Sequence, residues 1–331
     1  MKYAPVTIPT LCRYEHFRKC LDSLEDCVGS EHTDVYIALD YPAKESHWGG
    51  YSKIDMYLRK KQEKNRFKTL TVVRRTENMG IRRNNLVLDI FKKYDRVIYS
   101  EDDNVFSPNF LLFINKGLML CENDKNLISV CGYSYPFEYR FDGNYYYHNS
   151  HFCAWGYGIL RERLLSLNRD LNNGFFKDTF SLKNYLKIRR KGYDLLFSYV
   201  NAVFHDLVHD YSYRKTDRVV TAYMLLKDFK VITPAVTKVR NEGWDISGNS
   251  FEGGKQTRLM YELSKRHMTQ EIDNSSLFDF TGNPLTYFEY NNKITDMSNE
   301  WPMSYGEYLI KVFSMLIHGL FNIIGIRKKR L

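Results

Sequence analysis

The sequence predicts an α/β chain built on a mainly parallel central sheet. Three observations carry this. Short apolar runs alternate with segments of helical period through the first 131 residues. The second run closes on a carboxylate, Asp40, and the fourth opens directly into three acids, and such sheets hold ligands beyond the carboxyl ends of their strands. The composition is that of a packed protein: of 331 residues, 44% are hydrophobic, 15% aromatic and 26% charged, with 19 Gly and 8 Pro. That excludes a mainly disordered, collagen-like or low-complexity chain.

Pro5 to Pro9 is the first apolar run. Tyr14 to Cys27 follows with apolar or small residues at Phe17, Cys20, Leu21, Leu24 and Val28, a helical period. Asp34 to Asp40 reads as a buried strand and Leu70 to Val73 as another. Asn84 to Tyr94 is helical, Arg96 to Ser100 a strand, Asn109 to Cys121 helical, and Leu127 to Cys131 a strand. From Gly132 the alternation fades into a stretch rich in Tyr, Phe and Asn. Helices are expected at Arg161–Leu167, Leu182–Arg190 and Arg218–Lys227, and a last strand at Lys230–Pro234. No linker rich in Pro, Gly or Ser divides the chain, so one continuous architecture is expected. Residues 255–300 are polar and read as loosely packed.

The 48 Lys and Arg against 39 Asp and Glu leave a net charge of +9. Such a surplus suits nucleic acid, an anionic membrane surface or an acidic substrate. It gathers at Arg59 to Lys68, at Lys187, Arg189, Arg190 and Lys191, and at Arg327 to Arg330. The six cysteines form no C-x-x-C pair and read as buried free thiols in a reducing compartment. Met1 to Pro5 lacks the apolar core of a signal peptide, so a cytoplasmic location is expected.

The sharpest chemical signal is Glu101-Asp102-Asp103, directly after the apolar strand Val97 to Tyr99. Three consecutive acids at the end of a buried strand repel one another and need a cation nearby. Their hard oxygens suit Mg²⁺ or Mn²⁺, which also hold substrate phosphates. A solvated acidic turn is the plainer alternative. His205 and His209 stand four apart, but without an H-E-x-x-H pattern they exclude a zinc protease.

The segment from Val97 to Phe110 resembles the E-D-D segment of nucleotide-sugar glycosyltransferases of the GT-A (Rossmann-like) fold, above all the N-acetylglucosaminyltransferase I family. That resemblance implies Asp103 as the ligand of Mn²⁺ or Mg²⁺, Asp102 as a nucleotide contact and Glu101 as support near the donor sugar. Pro5 to Leu24 is similar to the same family's first strand, loop and helix, which points to Arg13 as a donor contact. A cation there also sits where a helix N-terminus favours anions. Asp40 matches a carboxylate placed near the base, although a strand-ending Asp is equally a turn former. Glu77 to Asn84 resembles the N-x-G…R-N segment of glycosyltransferase family 2, which implies Arg82, Arg83 and Asn84 near the diphosphate. Asn84 departs from the His usual at that point.

His151 to Arg161 resembles a W-G-W-x-T-W segment of bacterial polysaccharide glycosyltransferases, with Tyr157 in place of the second Trp. Trp155 and Tyr157 would there form an acceptor-binding wall; core packing is the alternative. The same resemblance implies a catalytic base just before the helix Arg218–Lys227: Asp217 first, Asp210 second. Either could instead be a helix cap. Arg240 to Asn249 is similar to the N-x-G-x-D-x-S-G segment of those enzymes and reads as a loop able to close over the donor. Finally, Leu309 to Ile326 is mostly apolar, with Lys311, Ser314, His318 and Asn322 on one helical face. Followed by Arg327 to Arg330, it reads as an in-plane amphipathic helix on the anionic inner face of the plasma membrane.

Together these expectations describe a metal-dependent, inverting transferase. It would move a sugar from a nucleotide-sugar donor, UDP-linked by the resemblance, to a glycan or lipid-linked saccharide in surface polysaccharide biosynthesis. Residues 1–131 would bind the donor, 132–254 the acceptor, 255–300 form a polar extension and 301–331 the membrane helix. A metal-dependent nucleotide-sugar phosphohydrolase using the same acids is one alternative. A basic nucleic-acid-binding module is another, for which no recognition motif is present.

Overall fold

The computed structural model describes residues 1–80, 84, 86–134, 143–148, 151–208, 217–243, 245, 265–282 and 303–323, leaving aside the side chains of 318–323. The chain forms two compact units that interleave in sequence. The first is Met1–Tyr147, Cys153–Arg163 and Val231–Leu285; the second is His148–Phe152, Leu164–Lys230 and Thr286–Leu331.

The first unit carries the sheet. Its strands are β1 (Val6–Thr10), β2 (Asp34–Leu39), β3 (Thr69–Arg74), β4 (Arg96–Tyr99), β6 (Leu127–Cys131), β7 (Tyr145–His148), β8 (Tyr157–Leu160) and β9 (Lys230–Pro234). They lie in the order β3-β2-β1-β4-β8-β6-β9-β7. β1 pairs in parallel with β2 on one side and β4 on the other, and β2 pairs in parallel with β3. β8 runs antiparallel to both β4 and β6, so β4 and β6 point the same way and the sheet stays mainly parallel. A separate pair, β5 (Asn104–Phe106) and β10 (Val239–Asn241), runs antiparallel with Asn241 opposite Asn104.

The helices of this unit bury the faces their spacing predicts. In α1 (Tyr14–Glu25), Phe17, Cys20, Leu21 and Leu24 turn inward, at i, i+3, i+4 and i+7. α2 (Trp48–Glu63) buries Ile54 and Leu58. The expected helix Asn84–Tyr94 is one turn only, α3 (Val87–Ile90); the Asn84 side chain is tied back to the sheet, and residues 91–93 form a turn. α4 (Phe110–Asn123) contributes Phe110, Leu111, Phe113, Ile114, Leu118 and Cys121 to the core.

Residues 265–282 are held more firmly than their polar composition predicts. Phe278 stands edge-on to Phe113 at 5.1 Å, and Lys238 pairs with Asp273 while lying 4.9 Å from the Phe278 ring. All six cysteines are free, five of them buried.

The second unit is helical. It holds most of α5 (Arg161–Asn172), then α6 (Phe175–Asp178), α7 (Leu182–Arg189), α8 (Tyr193–Leu207), α9 (Asp217–Lys227) and α10 (Tyr305–Ile323). Its core includes Phe176, Leu196, Tyr199 and Tyr223. The buried Asp206 carboxylate accepts from the backbone N–H groups of Phe176 (2.9 Å) and Lys177 (3.2 Å), satisfying donors that α6 leaves open at its start. Among the described residues, no helix is long and apolar enough to cross a membrane.

Candidate active site

The chain runs from β1 through α1 to β2 on one side, then returns to place β4 on the other side of β1. The strand order reverses between β1 and β4. The crevice beyond their carboxyl ends is where a sheet of this kind binds ligands. Two segments meet there: Thr10 to Arg13 after β1, and Glu101 to Asn104 after β4.

One cation and two neutral donors hold the acids. The Arg13 guanidinium pairs with Asp102 and lies 2.8 Å from Asp103 Oδ2. Thr10 Oγ1 donates to Asp102 Oδ2 at 2.8 Å. Asn241 Nδ2 donates to Asp103 Oδ1 at 2.7 Å and to Asn104 Oδ1 at 3.0 Å. Both carboxylate side chains are about nine-tenths buried, at 10% and 9% exposure, whereas Arg13 is 24% exposed. Burial pushes the Asp102 carboxyl up from the usual carboxylate range; Arg13 pulls against this and Asp103 adds to it. Burial also works against the Arg13 charge, but the two carboxylates more than offset it and hold the guanidinium well above its usual range.

The β5–β10 pairing brings the Asn241 loop onto Asp103. The Glu242 N–H donates to the Asp103 carbonyl at 2.8 Å, and the Gly243 N–H donates to Asn241 Oδ1 at 3.1 Å. A Cβ at Gly243 would stand 2.0 Å from Asp103 Oδ2, so only glycine allows this approach. The loop is fastened to α1 by Lys19–Glu242 at 2.8 Å and by His16 Nε2, which lies 3.0 Å from Asp245 Oδ2. Burial opposes the Glu242 charge, yet Lys19 and Arg240 hold its carboxyl below the usual range.

Sequence reasoning identified the Asn241-Glu242-Gly243 segment but not this role. Its signal was the N-x-G pattern, read there as a cover for the donor. Glu101 is half-buried beside these groups, and its carbonyl accepts from Ser100 Oγ at 3.0 Å.

Asp40, at the end of β2, is committed to backbone. Its carboxylate accepts from the N–H groups of Met79 (2.8 Å), Gly80 (2.9 Å) and Tyr41 (3.0 Å). Gly80 has φ +68°, which lets successive amides converge on one carboxylate. Asn84 is buried; its Nδ2 donates to the Ala38 carbonyl at 2.8 Å and its Oδ1 accepts from Arg75 Nε at 3.1 Å. Arg82 and Arg83 lie outside the described residues.

Trp155 stands edge-on to Tyr133 at 4.6 Å and 5.5 Å from His267. Tyr157 lies in β8 opposite Tyr99, with ring centroids 5.7 Å apart. The two aromatic residues are half-buried. His267 is buried, its Nδ1 2.5 Å from the Tyr133 hydroxyl, and burial, with Arg266 adding, pushes its imidazole down to about 4.

The unfolded chain therefore takes up this proton first, near the ordinary histidine value of about 6.5. Stability from His267 is complete above that value and is lost as pH falls towards the folded one. Urea unfolding should show about 2 kcal/mol less stability at pH 5 than at pH 7 from this group. His267→Gln should flatten the pH dependence by that amount; an unchanged slope would contradict the assignment.

In the second unit, Asp217 is the first residue of α9 and is half-buried. Its carbonyl accepts from Thr221 Oγ1 at 2.8 Å, and the neighbouring Arg218 pairs with Asp194. Asp210 lies outside the described residues.

Among the described residues, no three His, Cys, Asp or Glu side chains converge as a metal cage. Asp103 and Asp102 offer hard oxygens of the kind Mg²⁺ and Mn²⁺ take, one or two carboxylates with the remaining ligands drawn from phosphate and water. The two carboxylates fit that shared form of site, and Arg13, paired with both, is the cation they already hold.

No family model matches the chain, and no curated protein matches it. Solved structures do. One is the mannosyltransferase PcManGT from Pyrobaculum calidifontis in complex with GDP-Man and Mn²⁺: 14% identity, TM-score 0.41, covering 68% of this chain and 69% of that one. Another is S. aureus TarS 1-349: 14% identity, TM-score 0.32, covering 51% of this chain and 49% of that one. The same TarS portion in complex with UDP-GlcNAc gives 20% identity and TM-score 0.26 over 36% and 32% of the two chains.

Proposed function

We propose that this chain is a divalent-metal-dependent glycosyltransferase of the GT-A type that takes a nucleotide sugar, UDP-linked by the resemblance, as donor. The observation that carries the reading is the Asp102–Asp103 pair, buried at the point where the strand order reverses and balanced by a single guanidinium. Two carboxylates against one cation leave a net negative site. It suits a metal that arrives with a diphosphate, and Arg13 is partly exposed and able to meet the same phosphates.

When bound, Mn²⁺ or Mg²⁺ would supply Lewis-acid neutralisation of the departing diphosphate. The chain's own residues do the rest. Thr10 and Arg13 orient Asp102, and Asn241 orients Asp103. Asp40 holds the Met79 and Gly80 backbone, and Arg82 and Arg83, assigned by resemblance, would meet the diphosphate. Asp217, assigned by resemblance, takes the proton of the acceptor hydroxyl as it attacks from the face opposite the leaving group, which inverts the anomeric centre. The acceptor class is a glycan or lipid-linked saccharide of surface polysaccharide assembly. Trp155 and Tyr157 are candidates for its apolar wall.

The test is a donor screen with Mn²⁺ that includes UDP- and GDP-sugars and follows nucleotide release with and without saccharide acceptors. Acceptor-dependent release is expected. Asp217→Asn should lower kcat by about 10²–10⁴-fold with the donor KM unchanged. Release that ignores every acceptor would favour a phosphohydrolase, and a fully active Asp217→Asn would remove that residue as base.

A further inference from the structure

The second unit has a surface that carries none of the residues assigned above to sugar transfer. α10 presents three faces. Tyr308, Val312 and Met315 are its covered residues, and α10 packs on α8. Glu307, Lys311 and Ser314 form a polar flank, with Lys311 Nζ 5.7 Å from the Phe197 ring. Leu309, Ile310, Phe313 and Leu316 make a stripe that faces outward, with Ile310 70% and Phe313 67% exposed. Four large apolar side chains exposed along one helix face are more than the scattered hydrophobics of an ordinary surface.

α7 lies beside the start of α10. The hydroxyls of Tyr185 and Tyr308 are 3.4 Å apart and join α7 to α10. Leu182 and Arg189 stand three residues before and four after Tyr185, so they share its side of α7. Leu182 is 75% exposed, and Leu186, Lys183 and Arg190 are exposed as well. Arg189 donates to the Tyr193 hydroxyl at 3.1 Å, and the Tyr193 ring lies 5.5 Å and 5.6 Å from those of Tyr305 and Tyr308. Apolar residues, a tyrosine cluster and cations therefore occur side by side. Tyrosine favours the depth at which hydrocarbon gives way to headgroups.

The charge identifies the occupant. α7 contains no acid and ends in basic residues, and the sequence after α10 carries Arg327, Lys328, Lys329 and Arg330. A second copy meeting α7 across a two-fold axis would set Lys183, Arg189 and Arg190, all exposed, against themselves. We infer that α7 and α10 together form one docking face for an anionic lipid bilayer, with α10 lying in the plane of the interface. An in-plane helix with cations beside its apolar stripe gains from both hydrocarbon burial and anionic headgroups.

The full chain is sedimented with vesicles of phosphatidylcholine alone and of phosphatidylcholine mixed with phosphatidylglycerol. It should sediment with the mixed vesicles, remain in the supernatant with the neutral ones, and be released by salt. Ile310→Glu with Phe313→Glu, and separately Lys183→Glu with Arg190→Glu, should each lower vesicle partitioning roughly tenfold or more. All four positions are exposed, so circular dichroism should match wild type. Wild-type chain that ignores anionic vesicles, or two double variants that bind as wild type does, overturns the inference. A dimer dispersed by the Ile310→Glu, Phe313→Glu pair without any vesicle binding also overturns it and gives the face to a second copy.

Discussion

Asp103→Ala is expected to leave a folded protein that has lost about 10²–10³-fold of its donor-dependent nucleotide release, the scale on which removing one electrostatic partner of a transition state acts. The neighbouring contacts make this variant informative. Without Asp103, Arg13 keeps its pairing with Asp102, and Asn241 keeps Asn104 as an acceptor. The structural cost is the Asn241 hydrogen bond and one of the two carboxylates that pair with Arg13, about 1–3 kcal/mol. The functional cost is the ligand itself. Kinetics and urea unfolding run side by side separate the two. A variant with wild-type turnover would show that Asp103 does not serve the reaction.

Arg13→Ala is expected to have the opposite balance. Two buried carboxylates on adjacent residues would lose the cation that both share, and breaking such a pairing leaves uncompensated charge. We expect about 3 kcal/mol of lost stability in urea unfolding near neutral pH, the low end of the range because Arg13 is 24% exposed. Arg13→Lys should recover part of this, since an ammonium restores the charge but cannot fork across both carboxylates. Excess Mn²⁺ should also recover stability in Arg13→Ala, by supplying the cation that the two acids lack. Equal stability of wild type and Arg13→Ala would mean that solvent already screens the pair.

Much of the first unit was legible in the sequence. β1, β2, β4, β6 and β9 fall where apolar runs were read, and α1 and α4 where a helical period was. What stayed hidden has physical reasons. β8 is only four residues within an aromatic segment, and its first residue, Tyr157, was paired with Trp155 just before it as a binding wall rather than as the start of a strand. β5 and β10 are three residues each and pair across 133 positions of sequence, which no local pattern can reveal.

The site divides the same way. Glu101, Asp102 and Asp103 announce themselves because three acids after a buried strand are costly without a cation. Asn241 does not, because an asparagine in a glycine-containing loop has many reasons to be there, and only the β5–β10 pairing sets it on Asp103. Asp40 reads from the sequence either as a carboxylate near the base or as a turn former; its carboxylate gathers three backbone N–H groups, an arrangement that depends on the left-handed turn at Gly80 and that no local pattern spells out.

The central claim is that the crevice between β1 and β4 holds a nucleoside diphosphate through a divalent cation on Asp103. Calorimetric titration of UDP and of GDP into the protein, with Mn²⁺ and again with chelator, tests it most directly. Binding of at least one of them with Mn²⁺, lost with chelator and lost in Asp103→Ala, is the predicted result. Binding that is unchanged by chelator and by Asp103→Ala, or no binding of either nucleotide with Mn²⁺ present, would contradict it.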